Sequence, residues 1–332
     1  KKLDNYFYGA TFALNYKNNG LDLTFGSAGN YYKGWHFGEI LWVKEAVKQS
    51  YEQEFYRDLA EKYDFNNFLK ANYQIGDVIL YADLQYRNIS YRANGEETGK
   101  VNDKFNFFNP KGGITYLANA NHQFYASYAR AQREPNRKDY ENGNPKPEKL
   151  NDFEAGWRFK QNNVAVNVNG YYMLYQDQLV LTGEIDNVGG AIRKNSGISY
   201  RLGLELDSAV QFNQFSIRPA ITISQNKNID FVENQLGKLV KLGKTDISYS
   251  PNLIIGNTLT YSPIENLEFA LQSKYVGKQF MSNTEAKTSQ LDAYFTNDIR
   301  MNYELKLSDF AKAIRFNLLI NNLFDLKYIS NG

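Results

Sequence analysis

Cysteine is absent from the 332-residue chain, and proline is scarce at 7 residues. The lack of cysteine excludes disulfides and thiolate metal sites, although it does not select a cellular compartment. Only two histidines are present, His36 and His122, and they offer little for a Ser–His–Asp arrangement or for haem ligation. Basic and acidic residues nearly balance, 38 against 36, so a nucleic-acid surface is not expected. These absences predict no catalytic centre, no resident metal and no cofactor.

Long hydrophobic runs are also missing, since no stretch approaches the roughly 18 to 20 consecutive apolar residues of a membrane helix. The N-terminal Lys1-Lys2-Leu3 leads directly into Asp4-Asn5, which is unlike a signal peptide. Aromatic residues, in contrast, are abundant, with 26 Tyr and 22 Phe. Both residue types favour strands, and tyrosine suits membrane interfaces because its apolar ring carries a polar tip.

Alternation of apolar and polar residues recurs along the whole chain and predicts strands throughout. In the clearest case, Leu202, Leu204 and Leu206 fall on one face, whereas Arg201 and Glu205 fall on the other. Several such segments are longer than a strand of a globular protein, which usually has about 5 or 6 residues. A tilted strand needs about 9 to 11 residues to cross a bilayer. We therefore expect a sheet with lipid on one side and a water-filled interior on the other. The predicted strands are 5–16, 20–29, 63–75, 77–92, 104–118, 121–132, 150–161, 163–179, 197–212, 214–226, 246–261, 266–281, 290–306 and 312–323.

The connections between these segments alternate between short and long. The long ones are 30–62, 93–103, 133–149, 180–196, 227–245 and 282–289. Tight periplasmic turns and long external loops are typical of outer-membrane barrels. The predicted fold is thus an all-β, antiparallel transmembrane β-barrel with about fourteen strands in this chain. Helical spacing from Glu39 to Tyr63 also predicts one short helix in an external loop.

The parity of the connections bears on the ends of the chain. If the short turns are periplasmic, the chain starts and ends on the external side. Both termini of a complete bacterial barrel normally lie in the periplasm, and an open sheet with two bare edges would not survive in lipid. We therefore expect this sequence to be a fragment.

Five segments carry a resemblance to a known family. They are Tyr125–Arg137, Lys146–Gly156 with its P-E-x-L-x-x-y-E-x-G pattern, Tyr171–Gln178 with Y-Y-x-x-Y-x-D, Tyr200–Leu206 with x-x-G-x-E, and Asn321–Tyr328 with N-N-L-F-D-x-x-Y. Together and in this order they resemble the TonB-dependent receptor family. The resemblance covers nearly the whole chain.

The resemblance implies a location in the outer membrane of a Gram-negative bacterium and a barrel of 22 strands. Residues 1–332 would form a partial receptor β-barrel domain, without the N-terminal plug, the first third of the barrel and the closing strand. The implied function is TonB-energised transport of a scarce solute, above all a ferric siderophore or related iron complex. Cobalamin, haem, an oligosaccharide and a peptide are alternatives. Implied partners are outer-membrane lipid, the solute, and the TonB complex of the inner membrane, reached through the plug.

Two groups of external residues are candidates for ligand binding. The first is an aromatic group in loop 30–62 that can stack on a flat ligand: Tyr31, Tyr32, Trp35, His36 and Trp42. An interfacial aromatic belt is its alternative origin, and the commoner one in barrels. The second group can pair with an anionic ligand: Arg133, Arg137 and Tyr140, near Lys138. Because Glu134 and Asp139 lie among them, a loop that neutralises itself is the alternative.

A third group of charged residues falls on the polar faces of predicted strands. We expect them to face the lumen and to contact the plug rather than the ligand: Asp83, Arg87, Arg201, Glu205, Asp207 and Arg218.

Three other functions compete with the receptor. A passive outer-membrane channel for small or hydrophobic solutes would need neither plug nor TonB. A barrel enzyme such as a lipid-modifying hydrolase would depend on His36. A soluble all-β adhesin would not require detergent.

Overall fold

The computed structural model describes residues 2–42, 54–96, 98–185, 189–235, 238–307 and 312–330. Most of these residues lie in strands. A single turn of α-helix, α1 (Arg137–Glu141), and a 3₁₀ turn, Lys287–Ser289, are the helical elements of the described part. No helix there is long and apolar enough to cross a membrane. The strands are β1 (Lys2–Asn18), β2 (Leu21–Glu39), β3 (Glu54–Ile75), β4 (Val78–Gly95), β5 (Gly99–Leu117), β6 (His122–Arg133), β7 (Glu148–Gln161), β8 (Val164–Gln176), β9 (Leu179–Ile185), β10 (Ala191–Asn195), β11 (Ile198–Phe212), β12 (Phe215–Gln235), β13 (Lys238–Asp246), β14 (Leu253–Ile264), β15 (Leu267–Val276), β16 (Gln279–Phe280), β17 (Gln290–Leu291), β18 (Tyr294–Lys306) and β19 (Ala313–Ile320).

One antiparallel sheet contains almost all of the long strands. Its order is β1-β2-β3-β4-β5-β6-β7-β8-β11-β12-β14-β15-β18-β19, and β13 pairs with the far end of β12. Strands β9 and β10 form a separate hairpin, as do β16 and β17. Each strand of the path is a neighbour of the next along the chain, as in an up-and-down barrel wall. The prediction of an all-β antiparallel sheet of about fourteen strands is confirmed.

Tight turns gather at one end of the sheet. Asn162, Asn213 and Asn266 occupy them with positive φ of 45°, 51° and 68°, a conformation that asparagine tolerates better than most residues. The opposite end carries most of the longer connections, among them residues 134–147 and the β9–β10 hairpin. The predicted loop 93–103 is an exception, because β4 and β5 extend until only residues 96–98 connect them.

The two faces of the sheet differ in polarity. Leu202 and Leu204 lie on what we call the apolar face, and they are 48% and 52% exposed. The opposite, polar face carries Arg201 and Glu205, which pair in register with Asn226 and Thr222 of β12. An apolar band left in water would cost about 25 cal/mol per Å². The apolar face therefore suits contact with lipid, as the alternation predicted.

One predicted helix, one predicted strand boundary and two predicted loops are wrong. The helix predicted from Glu39 to Tyr63 is strand from Glu54 onward, while residues 43–53 of that prediction lie outside the described residues. Pairing on both sides, with Leu59 between Trp35 of β2 and Asn94 of β4, overrides the local helical spacing. The predicted strand 246–261 begins only at Leu253. The predicted loops 180–196 and 227–245 contain strand pairs of their own, β9–β10 and β12–β13.

Candidate functional site

Residues 134–147, which connect β6 to β7, form what we call the covering segment. A capping box starts its helix α1: the Asp139 N–H donates to Asn136 Oδ1 (3.1 Å), and the Asn136 N–H donates to Asp139 Oδ2 (2.7 Å). This reciprocal pair satisfies backbone donors that the first turn of a helix would otherwise leave free. The cap thereby fixes the orientation of a helix too short to be stable alone.

Tyr140 anchors the covering segment to the polar face of β4 and β5. Its ring stacks on Tyr91 with centroids 5.3 Å apart, and its hydroxyl donates to Asp103 Oδ2 at 2.7 Å. Both rings are buried together with Ala60 and Ala93. Burial first, and the Asp103 carboxylate second, raise the pKa of Tyr140 far above its usual value. The hydroxyl is therefore protonated, and a hydrogen-bond donor, at neutral pH.

Arg137 is the second anchor. Its Nη2 donates to Asp58 Oδ2 on β3 at 2.7 Å, and its Nε donates to Glu141 Oε1 at 2.7 Å. The Asp58 side chain is 1% exposed and also accepts the Glu96 N–H at 3.0 Å. A carboxylate buried to this degree requires such partners, because desolvation of an unpaired charge is costly.

A third anchor lies at the start of the covering segment. Arg87 Nη1 donates to Glu134 Oε2 at 2.9 Å, and Arg87 Nε donates to Asp64 Oδ1 at 3.0 Å. Lys62 is also bonded to Glu134. Two cations and two carboxylates thus neutralise each other where the chain leaves β6.

The β9–β10 hairpin joins the covering segment from the other side. Arg193 on β10 donates through Nε (3.1 Å) and Nη2 (2.9 Å) to the two carboxylate oxygens of Asp139. Asn195 accepts from the Lys146 N–H at 2.8 Å, and Glu148 accepts from the Leu179 N–H at 3.0 Å. The covering segment and the hairpin therefore form one hydrogen-bonded layer at this end of the sheet.

Beyond that layer, the polar face of β8, β11 and β12 borders an open cavity of about 320 Å³. Arg201 lies in its wall and donates through Nη1 to Ser250 Oγ at 3.0 Å. Carboxylates, amides and tyrosines surround this guanidinium, which gives the cavity donors, acceptors and aromatic surface. Its lining includes Glu154, Asn169, Tyr171, Glu205, Asn226 and Tyr249.

The predicted aromatic group is split by the fold. Tyr31, Tyr32, Trp35 and His36 all lie in β2, so their placement in a loop was wrong. On the apolar face, Tyr31 donates to Glu61 Oε1 at 2.8 Å, and the Arg57 guanidinium lies 5.4 Å from the Trp35 ring centroid.

The register places Tyr32 and His36 on the polar face instead, opposite Lys62 and Asp58. Trp42 follows the end of β2 and is 75% exposed. Strand alternation turns neighbouring side chains to opposite faces, so these five residues do not form one cluster.

The other predicted residues fall into two sets. Arg133 pairs with Glu148 at 2.8 Å, and Arg137 and Tyr140 are anchors of the covering segment. All six charged residues predicted to face the lumen lie on the polar face: Asp83, Arg87, Arg201, Glu205, Asp207 and Arg218. Of these, the structure brings Arg201 and Glu205 together at the cavity, whereas Arg87 belongs to the anchors.

Sequence reasoning missed Asp58, Asp103 and Tyr171. A usable signal did exist for α1, because Asn136 and Asp139 have the spacing of a capping box. No local pattern could indicate that Asp58 meets Arg137, since 79 residues separate them.

Comparison with known proteins agrees with this geometry. The family model described as "TonB dependent receptor-like, beta-barrel" matches residues 2–323. No curated protein sequence matches the chain. Similar solved structures include the FrpB iron transporter from Neisseria meningitidis (17% identity, TM-score 0.70), the ferric-catecholate import receptor Fiu from E. coli K12 (13%, 0.71) and the copper transporter OprC (15%, 0.75). Each alignment covers 98% of this chain and 51% of the other, so the chain spans about half the length of these structures.

The antiparallel sheet with one lipid-compatible face is the wall of an outer-membrane β-barrel. The chain belongs to the TonB-dependent receptor-like β-barrel family, since the family model covers almost all of it. It is an outer-membrane protein of a Gram-negative bacterium. The apolar face is accordingly the lipid-facing surface, and the polar face lines the lumen.

Proposed function

We propose that this chain supplies the barrel wall of a TonB-energised importer for a scarce solute, most directly a ferric siderophore or related iron complex. Membership of the TonB-dependent receptor-like family carries the proposal. Two of the similar structures are those of an iron transporter and a ferric-catecholate import receptor, which supports the iron-chelate class.

The lumenal cavity supports a polar organic ligand. Its volume of about 320 Å³ lies at the lower end of the range of about 300 to 1,000 Å³ usual for small-molecule sites. Arg201 offers a delocalised cation to an anionic chelate, and Tyr171 and Tyr249 offer aromatic surface with hydroxyl groups. The covering segment would form a fixed rim beside this site, with Arg137 and Tyr140 holding the rim and not the ligand.

The rest of the mechanism belongs to the whole receptor. A plug domain in the lumen would contact Arg201, Glu205, Asp207 and Arg218 and would receive energy from the TonB complex. The barrel portion described here would act as wall and rim, without catalysis.

Uptake of radioactive iron tests the proposal. The full-length natural protein would be produced in a bacterium that lacks its own siderophore receptors, and ⁵⁵Fe accumulation would be followed with a panel of ferric chelates under iron limitation. We expect accumulation of at least one chelate, its loss when tonB is deleted, and a marked decrease in Arg201→Ala. Gln211→Ala, on the same strand and face but outside the cavity, is the matched control.

Uptake that persists without TonB would instead indicate a passive channel. Absence of uptake for every iron chelate, with uptake of copper or an organic solute, would overturn the iron assignment while leaving the importer intact.

A further inference from the structure

The lipid-facing surface changes character along β4 and β5. On β4 it passes from Leu84 and Tyr86 to Asn88, and on β5 from Phe108 to Asn106. The Tyr86 hydroxyl donates to Asn106 Oδ1 at 3.1 Å, and Asn88 is bonded to the same oxygen. A tyrosine whose hydroxyl bonds to one of two paired amides is the arrangement expected at the edge of the hydrocarbon layer. These residues therefore mark the external membrane boundary on these strands.

Three cations lie beyond this boundary on the same surface: Arg92, Lys100 and Lys104. Arg92 pairs in register with Asn102, so Lys100 and Lys104, two residues to either side, are its diagonal neighbours at about 7 to 8 Å. All three are exposed, and within the described residues none of them forms an ion pair. Like charges at this spacing repel each other, which costs stability unless an anion lies among them.

The surface around these cations is concave and has little opposing charge. Arg92, Lys100, Asn94 and Asn102 line a groove of about 420 Å³ together with Leu59 and Glu61. Glu61 is the acid in register with Arg92, and it already accepts the Tyr31 hydroxyl at 2.8 Å. Two cations against one carboxylate in the groove, with Lys104 beside it on the same face, leave this surface suited to an anionic group.

The distances of the three cations from the membrane boundary indicate how far the anionic group must extend from the bilayer. With a rise of about 3.4 Å per residue and a tilt of about 45°, Lys104, Arg92 and Lys100 lie about 5, 10 and 14 Å outside the Asn88–Asn106 boundary. The headgroup layer of an ordinary phospholipid is only about 5 to 7 Å deep. A phosphate-bearing headgroup of several sugars would reach all three cations, whereas a simple phospholipid headgroup would reach Lys104 alone.

We propose that Arg92, Lys100 and Lys104 form a docking surface for a phosphorylated glycolipid of the external leaflet. The guanidinium of Arg92 binds a phosphate through two N–H donors, and the two ammonium groups neutralise the remaining charge. The acyl chains of the same lipid lie along the apolar residues below the boundary, among them Tyr86 and Phe108. This surface is on the outside of the barrel, so it is independent of solute import through the lumen.

Lipid retention by the full-length natural protein tests this proposal. The purified protein, delipidated in detergent, is incubated with diphosphorylated lipid A or with its phosphate-free form, and the bound lipid is counted by native mass spectrometry. Wild-type protein should retain the diphosphorylated form selectively. The variant Arg92→Gln/Lys100→Gln/Lys104→Gln should lose retention roughly tenfold or more, because each cation near an anionic surface contributes to binding.

The matched control removes the same charge from the other face. Lys111, Lys160 and Lys274 are exposed on the polar face, and within the described residues they form no ion pair. Their triple substitution by Gln should leave lipid retention unchanged. If the triple variant fails to show the gel-mobility shift of a folded barrel, the single variant Lys104→Gln replaces it in the assay. An intermediate loss of lipid retention is then expected.

Three results would overturn the proposal. They are equal retention of both lipid forms by wild type, equal loss in the two triple variants, and displacement of lipid A by millimolar inorganic phosphate, which would indicate a site for free anions.

Discussion

The lumenal surface has two walls that differ in how their charges are used. On the wall formed by β3, β4 and β5, Arg137 of the covering segment binds Asp58, whose exposure is 1%. On the wall formed by β8, β11 and β12, Arg201 and Glu205 border an open cavity. Carboxylates of the covered wall, such as Asp58, Asp64 and Asp103, are bonded to other groups of the chain. A charged residue on the lumenal face therefore indicates a binding site for another molecule only where no other part of the chain covers it.

The largest effect is expected on the covered wall. Arg137→Met removes the guanidinium from Asp58, and breaking a buried pair from one side costs about 3 to 5 kcal/mol. Urea unfolding of the full-length protein in lipid vesicles measures this loss. The double variant Asp58→Asn/Arg137→Met removes both charges and should recover much of the stability. A single variant no less stable than the double one would show that the covered wall does not depend on this pair.

A charge introduced on the lipid-facing side of β11 should have the next largest effect on the free energy of unfolding. Leu204→Arg places a guanidinium in the hydrocarbon layer and should cost about 2 to 4 kcal/mol in the same unfolding assay. The neighbouring Glu205→Gln, on the lumenal face, should cost much less. Equal losses in the two variants would mean that the faces of β11 are assigned incorrectly.

Tyr140→Phe separates packing from hydrogen bonding on the covered wall. The ring still stacks on Tyr91, but Asp103 loses its donor, for an expected cost of about 1.5 to 3 kcal/mol. Because the pKa of Tyr140 is raised by burial and then by Asp103, its stabilisation is present below pH about 10 and declines as the pH rises toward the raised pKa. The variant should therefore lack part of the alkaline destabilisation of wild type. Tyr86→Phe, which loses a bond to the neutral Asn106, is the control; identical alkaline profiles for Tyr140→Phe and wild type would count against the anchor.

The smallest effect on stability is expected on the open wall. Arg201→Gln should change the unfolding free energy by no more than about 0.5 kcal/mol, because its guanidinium borders water and its loss leaves no buried charge unpaired. Solute binding, measured by fluorescence quenching in the full-length protein, should weaken clearly. A large loss of stability would place Arg201 with the structural charges of the covered wall and remove the contrast between the two walls.

Periodicity predicted the sheet well because each strand is paired on both sides and must show one face to lipid. The number and order of the long strands and the faces of Leu204 and Glu205 follow from that alternation. Residues 54–63 were predicted as helix because their apolar spacing fits either structure locally, and only pairing with β2 and β4 decides between them.

The candidate site was less predictable, because burial by a distant loop decides the role of each charge. The sequence alone does not distinguish the roles of Arg137 and Arg201. In the structure, Arg137 is bonded to Asp58 and Glu141, whereas Arg201 borders a cavity. The family resemblance, carried by segments such as Asn321–Tyr328, was confirmed because those segments lie within the matched region or at its end.

Site-directed spin labelling tests most directly whether the apolar face meets lipid and the polar face meets water. The chain contains no cysteine, so single cysteines at Leu204 and Glu205 can each carry a nitroxide without background. In vesicles, collisions with oxygen report lipid and collisions with a water-soluble nickel chelate report the aqueous lumen. The label at position 204 should favour oxygen, and the label at position 205 should favour the nickel chelate. The reverse ratio at these two positions would contradict the account.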